Sequence, residues 1–246
     1  MESYRLTYDR LGDDLDYFIM APADKPAAPP VLCLHGLQSR KESLLDDAVA
    51  LCRAGLRAVA PDMARHGRRK GSETRDAMLE VDYVGTMFAI LGQSAVDIVA
   101  LLDHLGAPAA GLYAISMGGI IGFAAMVGDS RVAAASMILA SPDWVQLAAD
   151  VGVDKDHPAY ERIVELSPLT NAAAIAPRPL LMLNGDSDDR VPIVGARRLH
   201  EALLPLYREY PDRLCLKVYP DHGHVFTDDM QALSVDWLAN RLSPSR

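Results

Sequence analysis

Short, mostly apolar runs alternate along this chain with longer stretches whose apolar residues recur every three or four positions. The short runs are Val31–Leu34, Arg57–Ala60, Ala110–Tyr113, Val132–Ala140, Leu180–Asn184 and Leu214–Tyr219, and each predicts a strand. The longer stretches Lys41–Arg53, Phe88–Leu105, Ile193–Leu206 and Asp228–Arg241 predict helices, the first closed by Gly55 and the second ended by Gly106 and Pro108. Strands that are apolar on both sides must be covered on both faces. Alternating with helices, they predict an α/β fold built on a mostly parallel central sheet with helices on both sides. Ahead of this pattern, Tyr4–Asp9 and Asp16–Met20, joined through Leu11-Gly12-Asp13-Asp14, read as an antiparallel hairpin at a sheet edge. The Pro/Ala-rich stretch Ala21–Pro30 reads as a connector. Two segments interrupt the alternation. Arg65–Tyr83 is charged and reads as a surface excursion, and 143–175 reads as a small lid within a single domain spanning 1–246.

One stretch admits two readings. Ala109–Gly128 carries no charged residue and is long enough to cross a membrane. Its centre, Ser116-Met117-Gly118-Gly119, breaks the run, its first half is strand-like, and no basic anchors flank it. The pattern is therefore strand, tight turn, buried helix. Such a turn forces its tip residue into a strained conformation and requires small neighbours, here Ala114 and Gly118, two positions to either side. It lifts the Ser116 hydroxyl clear of the sheet beside the N–H groups of a helix. This is the nucleophile-elbow pattern, with Ala114 in place of the first glycine of G-x-S-x-G.

Two loops downstream supply partners. Strand 180–184 runs into Gly185-Asp186-Ser187-Asp188-Asp189-Arg190-Val191-Pro192, and strand 214–219 into Pro220-Asp221-His222-Gly223-His224. A serine hydroxyl attacks a carbonyl only when a base takes its proton. A histidine does this when an acid holds its tautomer and offsets the imidazolium charge. The acid is Asp186, Asp188 or Asp189, and the base His222 or His224. The order Ser…Asp…His is not that of the chymotrypsin or subtilisin arrangements. An oxyanion hole from backbone N–H groups completes the chemistry. Met117, just after the nucleophile and at a helix N-terminus, supplies one donor. The loop after Val31–Leu34 supplies the other, at Leu37, where Gly36 allows close approach.

On these residues the chain resembles the α/β-hydrolases, in the branch of dienelactone hydrolases and prolyl oligopeptidase catalytic domains. The resemblance also takes in His35-Gly36, Pro61-Asp62 with His66-Gly67, Ser167-Pro168-Leu169 and Gly223-His224, and covers nearly the whole chain. It implies the α/β-hydrolase fold. Its G-x-x-D-x-x-V-P spacing over Gly185–Pro192 selects Asp188, and its glycine before the histidine selects His224. His35 and His66 are then structural histidines beside the site. Dienelactone hydrolases proper use cysteine where this chain has Ser116, so that activity is not implied.

The rest of the composition narrows the field. Among 246 residues half are hydrophobic, and the formal net charge of −9 argues against a nucleic-acid partner. Cys33, Cys52 and Cys215 are scattered and odd in number, and read as reduced packing residues in a cytoplasmic protein. The N-terminus shows no apolar signal region. No His/Cys/Asp/Glu spacing suggests a metal, and no phosphate-binding glycine loop suggests a nucleotide, so no cofactor is expected. The basic run Arg65, Arg68, Arg69, Lys70 reads as a solvated loop before an anionic-substrate site. Trp144 and Phe226 are equally readable as pocket walls and as core. The expectation is a serine carboxylesterase acting on a small-molecule ester, with Ser116, Asp188 and His224 catalytic and no membrane partner. The alternatives on the same residues are a prolyl-oligopeptidase-like peptidase, a lactonase or a thioesterase. A ligand-binding receptor on a hydrolase scaffold is the non-enzymatic one.

Overall fold

A computed structural model describes residues 3–158 and 160–242. The strands are β1 (Tyr4–Leu11), β2 (Leu15–Pro22), β3 (Pro30–Leu34), β4 (Arg57–Pro61), β5 (Ala110–Ile115), β6 (Val132–Ile138), β7 (Leu180–Gly185) and β8 (Leu214–Tyr219). They form one sheet in the order β1-β2-β4-β3-β5-β6-β7-β8. β1, β2 and β4 pair antiparallel and every later neighbour is parallel. The N-terminal hairpin therefore occupies an edge, but only β1 is the edge strand. β2 is packed between β1 and β4 and is almost wholly buried, while β1 is largely exposed.

The helices are α1 (Leu45–Arg53), α2 (Arg75–Val81), α3 (Tyr83–His104), α4 (Met117–Gly128), α5 (Trp144–Asp150), α6 (Tyr160–Leu166), α7 (Val194–Leu203) and α8 (Asp228–Leu242). The core divides at the sheet. One face packs on α3, α4 and α7, with Ile98, Leu101, Ile121, Phe123, Ala196 and Leu199 at its centre. The other packs on α1 and α8, with Leu51, Cys52, Val235 and Leu238. On this second face Tyr113 of β5 is fully buried, and its hydroxyl donates to Asp47 of α1 at 2.6 Å. Asp47 also accepts from Gln231 of α8 at 2.7 Å, so one buried carboxylate joins strand and both helices. Burial pushes both Asp47 and Tyr113 up from their ordinary pKa values.

Four expectations shift in detail. The helix expected over Lys41–Arg53 opens as a 3₁₀ turn, Lys41–Leu44, before α1, and the one expected over Ile193–Leu206 ends as a 3₁₀ turn after α7. The charged excursion 65–83 contains α2, a seven-residue helix that buries no residue and so carries no apolar stripe in the sequence. The fourth is α3, which starts at Tyr83, ahead of the expected Phe88, because the Asp82 side chain accepts from the Gly85 N–H and caps it. The uncharged stretch 109–128 is strand, turn and helix, as β5, Ser116 and α4. Among the described residues α3 is the one helix long and apolar enough to cross a membrane. Its buried residues, Thr86, Ile90, Leu91, Ser94, Ile98, Leu101 and Leu102, form a single stripe against the sheet.

Candidate active site

Ser116 stands at the tip of the turn between β5 and α4, with φ 54° and ψ −120°. This conformation is costly for a residue with a Cβ, and the surroundings over-determine it. The Ser116 N–H donates to Ile138 of the neighbouring strand at 2.8 Å, and its carbonyl accepts from Ile120 at 3.0 Å. A Cβ on Gly118 would lie 2.3 Å from the Leu34 carbonyl oxygen, so only glycine lets α4 start this close to the end of β3. The Ala114 methyl is accommodated because the facing helical residue is Gly122, where an added Cβ would come within 3.3 Å of it.

The Ser116 hydroxyl lies 2.8 Å from His224 Nε2, and His224 Nδ1 lies 2.7 Å from Asp188 Oδ2. The Asp188 carboxylate is buried, and its other oxygen accepts the backbone N–H groups of Arg190 and Val191 at 3.0 and 2.9 Å. Those two donors aim the carboxylate and compensate its loss of water. The competing residues lie elsewhere. Asp186 is exposed and accepts from the Asp221 N–H at 2.8 Å, which ties the two loops together, and Asp189 is exposed. His222 turns away, with Nε2 2.7 Å from the Val225 carbonyl oxygen. The acid and histidine loops meet through the Ser187 N–H, which donates to the His222 carbonyl at 3.1 Å. Gly185 permits that contact, since a Cβ there would stand 2.0 Å from the His222 oxygen.

The serine opens onto a cleft of about 530 Å³. Leu37 and Met117, the residues expected to carry the oxyanion donors, both line it next to Ser116. One apolar wall comes from the start of α3 (Met87, Phe88, Leu91) and the other from α5 (Trp144, Leu147). Trp144 and Phe88 meet edge to face with ring centroids 5.9 Å apart. Tyr83, Asp150 and Arg190 bring polar groups to the lining. Trp144, itself buried in the core, is thus also a pocket wall, whereas Phe226 is half-buried and packs against the core on the other side of the sheet. The sequence reading missed the α3 wall altogether. Its signal was Asp82 as a helix cap followed by apolar residues at helical spacing. Within 143–175 it is α5 that lines the cleft, and no α6 residue does.

His35 and His66 are buried next to each other, with ring centroids 5.2 Å apart. His35 Nε2 accepts the Met63 N–H at 3.0 Å, and Nδ1 lies 2.9 Å from the Gly36 carbonyl oxygen. His66 Nδ1 lies 2.8 Å from the Ala64 carbonyl oxygen. Among the described residues no cluster of His, Cys, Asp and Glu could hold a metal. In the basic run Arg68 and Lys70 are exposed, as expected of a solvated loop, and the exception is Arg69. Arg69 is buried and bridges Asp14 at 3.0 Å and Asp97 at 2.5 Å, because the fold brings the hairpin and α3 together around it. Arg65, Arg69 and Lys70 line a separate cleft from the one at Ser116. Cys33, Cys52 and Cys215 are free, and burial pushes all three thiols up.

Burial also lowers the His35 pKa to about 4, while the unfolded chain takes up the same proton near the ordinary value of 6.5. Between those values the unfolded state binds more protons, so stability is full above about pH 6.5 and falls as the pH drops towards 4. The full loss is about 3 kcal/mol. Asp47, pushed upward, acts in the opposite sense at the acid end. The measurement is therefore the difference in unfolding free energy between the wild type and His35→Gln, followed from pH 7.5 to 4. That difference is expected to shrink steadily on acidification. A constant difference would contradict a buried neutral His35.

The sheet order and the turn at Ser116 are those of the α/β-hydrolase fold, with serine, histidine and aspartate hydrogen-bonded in series at the site. Residues 122–243 match the prolyl oligopeptidase family (peptidase S9). A Bacillus subtilis (strain 168) protein named "Putative esterase YitV" is 29% identical over 207 residues, which cover 76% of this chain and 79% of that protein. Among solved structures, TT1662 from Thermus thermophilus superposes with a TM-score of 0.73 at 24% identity, covering 98% of this chain and all of its own. A cold-adapted esterase from an Arctic intertidal metagenomic library, in a PEG-bound complex, superposes with a TM-score of 0.67 at 22% identity. That match covers 98% of this chain and 94% of the esterase.

Proposed function

We propose that the protein is a serine carboxylesterase that hydrolyses small esters through an acyl-enzyme on Ser116. The observation that carries this reading is the unbroken chain of hydrogen bonds from the Ser116 hydroxyl through His224 to buried Asp188, at the floor of an apolar cleft. The esterase likeness of the Bacillus subtilis relative points the same way.

Ser116 Oγ attacks the ester carbonyl as His224 Nε2 takes its proton, and the carbonyl electrons move onto oxygen. The N–H groups of Leu37 and Met117 receive that oxyanion, the latter at the start of α4, where the helix dipole favours negative charge. His224 then delivers the proton to the departing alcohol. Water, deprotonated by the same nitrogen, attacks the acyl-enzyme and releases the acid. Asp188 holds the Nδ1–H tautomer and offsets the imidazolium charge throughout. No step calls for a metal or cofactor. The chain works as one α/β domain, with 143–175 as a small cap contributing α5 to the cleft. Three free thiols suit a reducing cytoplasm.

The apolar walls of the cleft suit a short acyl chain. The cap offers α5 and α6, seven residues each, and no long amphipathic helix to open on a lipid surface. Butyrate esters are therefore expected to be cleaved with a kcat/KM at least about tenfold above palmitate esters and above a proline amide. Steady-state kinetics on p-nitrophenyl butyrate, p-nitrophenyl palmitate and a prolyl p-nitroanilide decide it. Preference for the amide would favour the peptidase reading that the family match at 122–243 supports.

A further inference from the structure

The cleft does not explain why a lysine and an aspartate are buried together beside it. Lys41 is 1% exposed and Asp62 fully buried, with Lys41 Nζ 2.6 Å from Asp62 Oδ2. The pair is closely built in. Asp62 Oδ1 accepts the Lys41 backbone N–H at 2.9 Å, Oδ2 accepts the Arg68 N–H at 3.2 Å, and Lys41 Nζ also lies 3.3 Å from Glu42. Gly67, with φ 57°, folds over the carboxylate so closely that a Cβ there would stand 2.1 Å from it. An ion pair taken this far from water seldom adds net stability over an apolar pair of the same shape, so a packing role alone does not account for it.

Its position in the chain does. The segment between the end of β3 and Lys41 is the loop that faces Ser116. Its first residue, His35, is held to the β4 loop by the Met63 N–H, and His35 Nε2 lies 4.0 Å from Asp62 Oδ1. Its far end is held by the two contacts from Lys41 to Asp62. Between these anchors, Gln38 turns the backbone with φ 61°, and the Ser39 N–H closes onto the Gly36 carbonyl at 3.3 Å. The Cβ position of Gly36 falls 3.5 Å from that of Ser116. Both ends of a strained four-residue turn are thus fastened to the loop that Asp62 begins.

We infer that the buried Lys41–Asp62 pair is a positioning device that clamps the loop Gly36–Gln38 at the distance from Ser116 at which its N–H groups meet the developing oxyanion. The inference rests on the proposed esterase reading, in which Leu37 supplies one donor. Lys41 and Asp62 touch no substrate and act through the loop. Their effect therefore falls on the transition state, where the oxyanion exists, and not on the bound ester.

The test is the isosteric neutral pair Lys41→Met with Asp62→Asn, measured per active site after titration with a fluorophosphonate. Expected are a kcat on p-nitrophenyl butyrate lower by about 10- to 100-fold, a KM within about threefold of wild type, and a Ki for butaneboronic acid raised in step with the loss of kcat. Butaneboronic acid forms a tetrahedral adduct on serine whose oxygen occupies the oxyanion site, so its Ki separates positioning from general loss of fold. Arg178→Met is the control. It removes a half-buried guanidinium that holds the Asp129 and Val132 carbonyls at the far end of the sheet, and should lower Tm without moving kcat or Ki. If the double variant does not accumulate as folded protein, Asp62→Asn alone, which keeps the volume and a carbonyl oxygen for the Lys41 N–H, is read in the same way. Unchanged kcat and boronate Ki, or KM and Ki weakened equally, would overturn the inference. Wild-type enzyme that fails to bind the boronate would instead refute the serine mechanism beneath it.

Discussion

Ser116→Ala is expected to lower kcat on a butyrate ester by about four orders of magnitude or more while leaving the unfolding midpoint close to wild type. Without Oγ there is no nucleophile to form the acyl-enzyme, and the histidine and aspartate have nothing to activate. Members of such a set act as a unit, so removal of the nucleophile alone costs nearly as much as removal of all three. The fold should tolerate the change because only the hydroxyl is removed. The backbone bonds that hold residue 116 at φ 54°, from Ile120 and to Ile138, do not depend on it. The residual rate reports what a cleft and oxyanion donors achieve with water alone. Loss of fluorophosphonate labelling should accompany the kinetic loss. A purified variant that retained a tenth of wild-type turnover would refute the acyl-enzyme mechanism.

Asp188→Asn should lower kcat by about 10³- to 10⁴-fold with little change in KM. The amide is the same size and carries no charge. One end of it must still accept from Arg190 and Val191, which leaves its NH₂ facing His224 Nδ1. An NH₂ donor there favours the tautomer with the proton on Nε2, which cannot take the proton from Ser116. Asp186→Asn and Asp189→Asn are the matched comparisons, since both carboxylates lie within two residues of Asp188 and are exposed. They should change kcat by less than about threefold, because charge at an exposed position is screened by water. Measured side by side on one ester, the three substitutions decide among the acids of this loop. A larger loss at Asp186 or Asp189 would move the assignment away from the carboxylate that touches the histidine.

Much of this was legible in the order of residues. The strands β3, β5, β6 and β7 are almost wholly apolar, broken only by Ser136 and Asn184, and only a sheet covered on both faces can absorb such segments. The parallel α/β architecture thus followed from periodicity before any coordinates. The turn at Ser116 was legible because a strained backbone tolerates only small neighbours, and Ala114 and Gly118 record that constraint locally. Each of these signals lies within a few consecutive residues, where steric rules act directly on the chain.

The tertiary structure alone decided what depends on distance between remote segments. Asp186, Asp188 and Asp189 are chemically alike; the spacing of the resemblance points to Asp188, but its contact with the histidine comes only from burial against a loop 36 residues later. Arg69 reads as one more charge in a basic run until the hairpin and α3 close around it with Asp14 and Asp97. The α3 wall of the cleft and the parting of Trp144 from Phe226 to opposite sides of the sheet are further cases. Local propensity and hydrophobic period determine which elements form and which face each one buries. Which polar groups meet is settled by the packing of elements far apart in sequence, because a charge or a hydroxyl takes its role from the partner that replaces its water.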